Sequence, residues 1–105
     1  MKEYLGVDVP SDTLGVLQDV HWSCGYIGYF PTYSFGNLYS AQFYNTLAQE
    51  IPGVSKKIAK GEFEEIREWL RKNIHVHGKL YTAGKLVKKI TGESLNSKYF
   101  NEYLE

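Results

Sequence analysis

Cysteine is almost absent: Cys24 is the only one among 105 residues. A single thiol excludes an internal disulfide and a cysteine-based zinc cluster, and it points to a reducing, cytoplasmic setting. Net charge is absent too, because twelve basic side chains balance twelve acidic ones. Without a net field nothing draws in the phosphate backbone of nucleic acid or an anionic bilayer, so neither is expected as a partner. No run approaches the roughly 18 apolar residues of a membrane-spanning helix. The opening Met1-Lys2-Glu3-Tyr4-Leu5-Gly6 also lacks the apolar centre of a secretory leader. Proline is confined to Pro10, Pro31 and Pro52, where it punctuates rather than fills. The nucleophile elbow, P-loop, dinucleotide fingerprint and EF-hand loop are missing, and so is HExxH, since Trp22, Val76 and Gly78 follow the three histidines.

What is abundant is aromatic. The chain has 9 Tyr, 5 Phe and 2 Trp, and eight of these rings fall between Tyr26 and Tyr44. Amphipathic rings suit a cleft wall or a buried interface. A chain of this size removes only about 60–70% of its unfolded surface from water, so part of the belt is expected to face another polypeptide or a ligand. That favours a homo-oligomer over a monomer.

The length allows one domain, residues 1–105, or a fragment of a larger fold. The pattern is all-α, with five or six helices of unequal length and no alternating strand pattern. Met1 to Gly6 reads as the tail of a helix, the end of something longer. Leu14, Val16, Leu17 and Val20 suggest a short helix after the Pro10-Ser11-Asp12 turn. Pro31 opens a helix running to about Glu50, with a stripe of Phe35, Leu38, Tyr39, Gln42, Phe43, Thr46 and Leu47. Gly36 and Ser40 on that helix allow close approach of a partner. After Pro52 a short helix from Val54 stops at Gly61. The next is expected from Glu62 to about Val76, burying Phe63, Ile66, Trp69, Leu70 and Ile74. Thr82 can cap a helix that ends at Gly92, and Asn96 or Ser97 can cap a last one carrying Tyr99, Phe100, Tyr103 and Leu104.

Two constellations bear on chemistry. Asp19 and His21, with Gln18 beside them, put a carboxylate, an amide and an imidazole within four positions. That is enough to orient the ring and set its tautomer, whether for substrate binding or as a polar network that fixes packing. His75 and His77 point about 200° apart on a helix, which suits a helix end before Gly78 better than a metal pair. A site built from His21, His75 and His77 would be an independent small metalloenzyme, the least favoured arrangement. Cys24 is expected to be a packing residue.

Gly15-Val16-Leu17-Gln18-Asp19-Val20-His21-Trp22 resembles the GxxQDxHW signature of the thermostable metallocarboxypeptidases of the carboxypeptidase Taq type, all-helical HExxH enzymes with a deep cleft. Gly28-Tyr29-Phe30-Pro31-Thr32-Tyr33, then Gly36-Asn37-Leu38-Tyr39 and Ala41-Gln42, resemble that family's next segment. Trp69-Leu70, Asn73-Ile74-His75, His77-Gly78, Leu80-Tyr81-Thr82 and Thr91-Gly92-Glu93 continue the likeness. Ala83 and Gly84 depart from it, standing where the family has a proline and an acidic residue.

The resemblance implies the C-terminal segment of a metallocarboxypeptidase, supplying one wall of the substrate cleft. It implies zinc or cobalt in the full enzyme but no metal or cofactor here, because the HExxH histidines, glutamates and carboxylate-holding arginine belong upstream. The implied reaction is attack of water on the last peptide bond, with the metal polarising its carbonyl. Within this chain His21 and Tyr33 would be the donors nearest the peptide substrate or the oxyanion, with Gln18 and Asp19 orienting them and Trp22 shaping the wall. The chain alone is expected to be inactive, its partner the missing N-terminal part of the peptidase. The alternative is a non-catalytic module that self-associates or binds a protein through its aromatic belt.

Overall fold

The computed structural model describes residues 2–105. Among them are seven α-helices: α1 (Lys2–Leu5), α2 (Val20–Ser23), α3 (Pro31–Glu50), α4 (Val54–Lys60), α5 (Glu64–Asn73), α6 (Ala83–Thr91) and α7 (Lys98–Leu104), with no strand. The all-α expectation holds, and five of the seven exceed a single turn. Met1, where the sequence pattern starts its first helix, lies outside the described residues. No helix is long and apolar enough to cross a membrane. The chain divides into two compact units, Met1–Tyr33 and Ser34–Glu105.

In the first unit the stretch expected to be one short helix is broken. Single 3-10 turns form at Asp12–Leu14 and Val16–Gln18, and α2 follows. Gly15 separates the turns, and a Cβ there would have to displace the Val9 side chain and would lie 3.3 Å from the Ser11 carbonyl. Asp19 then takes extended backbone and its carboxylate accepts the N–H groups of His21 and Trp22, starting α2 as its N-cap. None of the described residues of this unit is fully buried.

The second unit holds the core. Leu47, Ile51, Val54 and Trp69 form its buried centre, with Ala48, Ile66, Leu70, Ile74 and Ile90 packed against it. Pro52 cannot continue α3, and Gly53 takes a left-handed conformation that turns the chain into α4. The Trp69 indole N–H donates to the Glu50 carboxylate at 2.6 Å, so the buried ring leaves no orphaned donor. Two expected core residues are not buried: Phe35 is 53% and Phe63 55% exposed. Their helical spacing identified an apolar face correctly, but nothing in these residues covers that end of it. Helix α5 also stops earlier than the periodicity suggests. Ile74 is its C-cap, and His75–His77 forms a separate 3-10 turn closed by Gly78.

One side chain ties α3 to the far end of the unit. Gln42 is completely buried. Its amide nitrogen donates to Thr91 Oγ1 at 3.0 Å and to the Ser94 carbonyl at 3.2 Å, while its oxygen accepts the Asn96 N–H at 3.0 Å. Asn96 in turn accepts the Lys98 N–H at 3.0 Å and so caps α7. Beside this loop the Tyr99 hydroxyl donates to Glu93, and the Lys98 ammonium sits 4.6 Å from the centre of the Tyr99 ring.

That last cluster has a pH signature. The Tyr99 hydroxyl holds the Glu93 carboxyl below the ordinary carboxylate range, helped by Asn96 and Lys98. A depressed carboxyl stabilises the fold above its unfolded value and loses that contribution as pH falls through its folded value. The Tyr99 phenol is raised, chiefly by the same bond to Glu93, so its contribution is complete below the ordinary phenol range and lost as pH rises through the raised value. Tyr99→Phe is therefore expected to leave a stability-against-pH curve with shallower shoulders on both its acid and its alkaline side. Urea midpoints measured across pH for the two chains check this, and parallel curves would rule it out.

Candidate functional site

The first unit gathers the GxxQDxHW segment and the aromatic loop after it around one imidazole. His21 lies in α2, one residue past the first helical position, so the Asp19 cap fixes both its backbone and its surroundings. The Asp19 Oδ1 atom accepts the His21 N–H at 2.8 Å and stands 3.5 Å from the ring's Nδ1. The second distance is an electrostatic contact rather than a full hydrogen bond. On the other side of the ring Nε2 is 3.0 Å from the Tyr33 hydroxyl. The His21 and Asp19 side chains are only 23% and 32% exposed, in a unit that is otherwise open.

Aromatic rings hold the imidazole in plane. Tyr29 stacks on it, with centroids 5.7 Å apart and planes 20° apart, and Phe30 lies tilted at 4.9 Å. Tyr33 meets it edge-on at 5.8 Å. Tyr29 also packs edge-on against Tyr33 at 5.5 Å, and tilted against Tyr26 at 5.8 Å. The loop brings these rings back because Gly25 and Gly28 take positive φ, turning the chain twice between α2 and Pro31. Tyr33 then sits in the first turn of α3, where Pro31 can start a helix without wasting a donor.

Of the five residues singled out from the sequence, three converge: Asp19, His21 and Tyr33. Gln18 does not join them, its amide donating to the Thr13 carbonyl at 2.6 Å. It braces the turn that precedes Asp19. Trp22 is 65% exposed and meets the cluster through its backbone N–H, which donates to Asp19. Tyr29 and Phe30 belong by sequence to the aromatic belt and to the Gly28–Tyr33 segment of the family resemblance, neither of which places them against His21. Their place directly between Gly28 and Pro31, where a turn must redirect the chain, was the available signal.

The donor set does not fit the family's metal. Among the described residues no three His, Cys, Asp or Glu side chains come together. His21 is engaged by Asp19 and Tyr33, and His77 packs edge-on against Tyr81 at 5.3 Å. A hydrolytic zinc needs three protein ligands and an open position, so no metal-dependent step is assigned to these residues. What they can do is present a polarised hydroxyl and an oriented imidazole at the edge of an apolar, aromatic surface. That combination is suited to meeting a polar or anionic group.

Similarity to known proteins runs the whole length of the chain. The profile of the carboxypeptidase Taq (M32) metallopeptidases matches residues 1–105. Thermostable carboxypeptidase 1 of Pyrococcus furiosus is 43% identical over 105 residues, covering all of this chain and 21% of that protein. Carboxypeptidase 1 of Bacillus subtilis is 40% identical over 103 residues, covering 98% of this chain and 21% of that protein. Among solved structures, Trypanosoma cruzi metallocarboxypeptidase 1 superposes with a TM-score of 0.85 at 40% identity, over 100% of this chain and 22% of that one. The M32 carboxypeptidase of Deinococcus radiodurans gives 0.79 at 38%, over 98% and 21%. The chain thus spans about a fifth of the length of the relatives it matches. It belongs to the carboxypeptidase Taq (M32) metallopeptidase family.

Proposed function

We propose that this chain is the C-terminal part of a metallocarboxypeptidase that removes C-terminal amino acids from peptides, and that it supplies one wall of the substrate cleft. The observation that carries the reading is the convergence of Asp19, His21 and Tyr33 within a segment matched end to end by such enzymes. In this role His21 and Tyr33 face the peptide's last residue, Asp19 positions them, and Gln18 and Trp22 brace and border the site. The zinc or cobalt centre and the general base belong to the remaining polypeptide, so the chain by itself has no peptidase activity. Cys24, expected to be a packing residue, is exposed instead, and a free exposed thiol fits a reducing cytoplasm.

The surfaces support a chain that works against another polypeptide. Leu14, Val16, Leu17, Val20 and Ile27 are all exposed in the first unit. In the second unit an open groove of about 500 Å³ runs between α3 and α7, with Ala41, Tyr44, Ala48, Phe100 and Tyr103 on its walls. Apolar area of this extent favours association, at about 25 cal/mol for each Å² buried. Left alone the chain is expected to self-associate through it.

The test is reassembly. The chain alone should cleave no peptide and should scatter light as more than a monomer. Adding the upstream polypeptide of a family enzyme, with zinc or cobalt, should convert it to a heteromeric complex that releases C-terminal residues. A mixture that forms no complex and gains no activity would refute the split-enzyme reading. Persistent self-association in that mixture would favour a non-catalytic module acting through its aromatic belt.

A further inference from the structure

The proton positions around His21 follow from the groups on its two sides. A bare Nδ1 lone pair 3.5 Å from a carboxylate oxygen would be repelled by it, whereas an Nδ1–H is attracted. Asp19 therefore draws the proton of the neutral ring to Nδ1 and leaves Nε2 as an acceptor. The only proton then available for the 3.0 Å contact between Nε2 and Tyr33 is the phenolic one. The packing of Tyr29, stacked, and Phe30, tilted, against the ring opposes a flip that would exchange the two nitrogens. The ionisable groups facing the ring are the Asp19 carboxylate beside α2, Tyr29 in the loop and Tyr33 at the start of α3.

We infer that Tyr33 donates its hydroxyl proton to His21 in the resting site, and becomes a donor toward an incoming anionic group only when His21 takes up a proton. The inference rests on the peptidase reading for its meaning, since a peptide's C-terminal carboxylate and an oxyanion both require a donor. The hydrogen count is simple. One solvent proton adds to Nε2; the O–H···Nε2 bond is lost, an Nε2–H···O bond replaces it, and the Tyr33 O–H rotates outward. An imidazolium has donors on both nitrogens, so Tyr33 is then obliged to accept from the ring. Binding of a carboxylate against Tyr33 is thus coupled to uptake of one proton, with Asp19 as the positioning residue that sets the polarity.

Long-range nitrogen–proton correlation spectra of the chain labelled at histidine nitrogens read the tautomer directly. His75→Gln and His77→Gln variants assign the His21 signals. At a pH where His21 is neutral, its Nδ1 should carry the proton. Asp19→Asn keeps a capping oxygen but removes the charge, so it should shift the population toward Nε2–H, while Tyr33→Phe should leave Nδ1–H in place. An Nε2–H ring in the native chain, a tautomer unmoved by Asp19→Asn, or one inverted by Tyr33→Phe would overturn the inference. At the midpoint of His21's own titration, sodium acetate should increase the protonated fraction relative to sodium chloride of equal ionic strength. It should do so less in Tyr33→Phe, and equal responses of the two chains would overturn the switch. These spectra need no activity, so their failure would leave the reassembly result standing, and the reverse holds too.

Discussion

Gln42→Leu is expected to lower the stability of the second unit by roughly 2 kcal/mol, read as a lower urea midpoint with little change in slope. The two side chains have nearly the same size, so packing is largely kept and the loss is one of hydrogen bonds. In the native chain the buried amide satisfies Thr91 Oγ1, the Ser94 carbonyl and the Asn96 N–H together. Leucine leaves the Asn96 donor and the Ser94 acceptor without their partner; the half-buried Asn96 N–H costs about 1–3 kcal/mol, and the Ser94 carbonyl less, because Ser94 is exposed and water can replace the amide. Burial of the added apolar atoms offsets part of that. Small domains have only about 5–15 kcal/mol in total, so the change is a large share. Gln42→Glu should be worse. Its oxygen can still accept from Asn96, but the other oxygen replaces a donor opposite the Ser94 carbonyl, and the carboxylate is completely buried. A midpoint unchanged by either substitution would mean that the loop from Gly92 to Ser97 does not depend on Gln42.

The same residue shows how far periodicity reaches. Gln42 falls on the inner stripe of α3 by spacing alone, yet spacing does not reveal that it is the most buried polar group in the unit or what it binds. Its partners lie about fifty positions away, beyond the range of local pattern. Helix ends were easier to read, because Pro52, Gly61 and Gly92 act through backbone geometry that needs no distant partner. The stretch from Leu14 to Val20 misled for a related reason. Its apolar spacing suits a helix, but Gly15 packs under Val9 and Asp19 restarts the chain as a cap, so two tight turns replace it. Phe35 and Phe63 show the opposite limit: they belong to apolar faces by spacing and remain exposed. A hydrophobic stripe states that something covers a face without naming what.

The site was partly readable for the same physical reasons. Asp19 and His21 are two positions apart, so a cap that binds the His21 N–H necessarily places its carboxylate near the ring. Tyr33 is twelve positions further on, and only the resemblance to carboxypeptidase sequences joined it to His21. The rings of Tyr29 and Phe30 could have been placed from the two glycines and Pro31, which force the loop back on itself. Gln18 had the right spacing but the Thr13 carbonyl claims its amide.

In the reassembled peptidase, His21→Ala is expected to lower kcat by about 100- to 1000-fold, the usual effect of losing one preorganised donor at a developing negative charge. Alanine removes the partner that holds the Tyr33 hydroxyl at 3.0 Å, so the phenol is left to rotate. Tyr33→Phe should cost a similar factor, because the imidazole is then intact but the hydroxyl that donates toward the anionic group is gone. The double variant should be little worse than the poorer single one, as groups that act as a unit are strongly non-additive. Asp19→Asn should fall between the native enzyme and these, about 10- to 100-fold down, since it changes the ring's proton placement without removing any donor. Steady-state kinetics on a short peptide, with complex formation checked for each variant, separate these outcomes from simple failure to assemble. Losses that multiply in the double variant would show that His21 and Tyr33 contact the substrate independently. Losses confined to KM would show that they bind the peptide without favouring its transition state. Non-additive losses in kcat, together with a milder effect at Asp19, are the pattern that a single proton-coupled donor produces, because each substitution interrupts the same chain of hydrogen bonds at a different link.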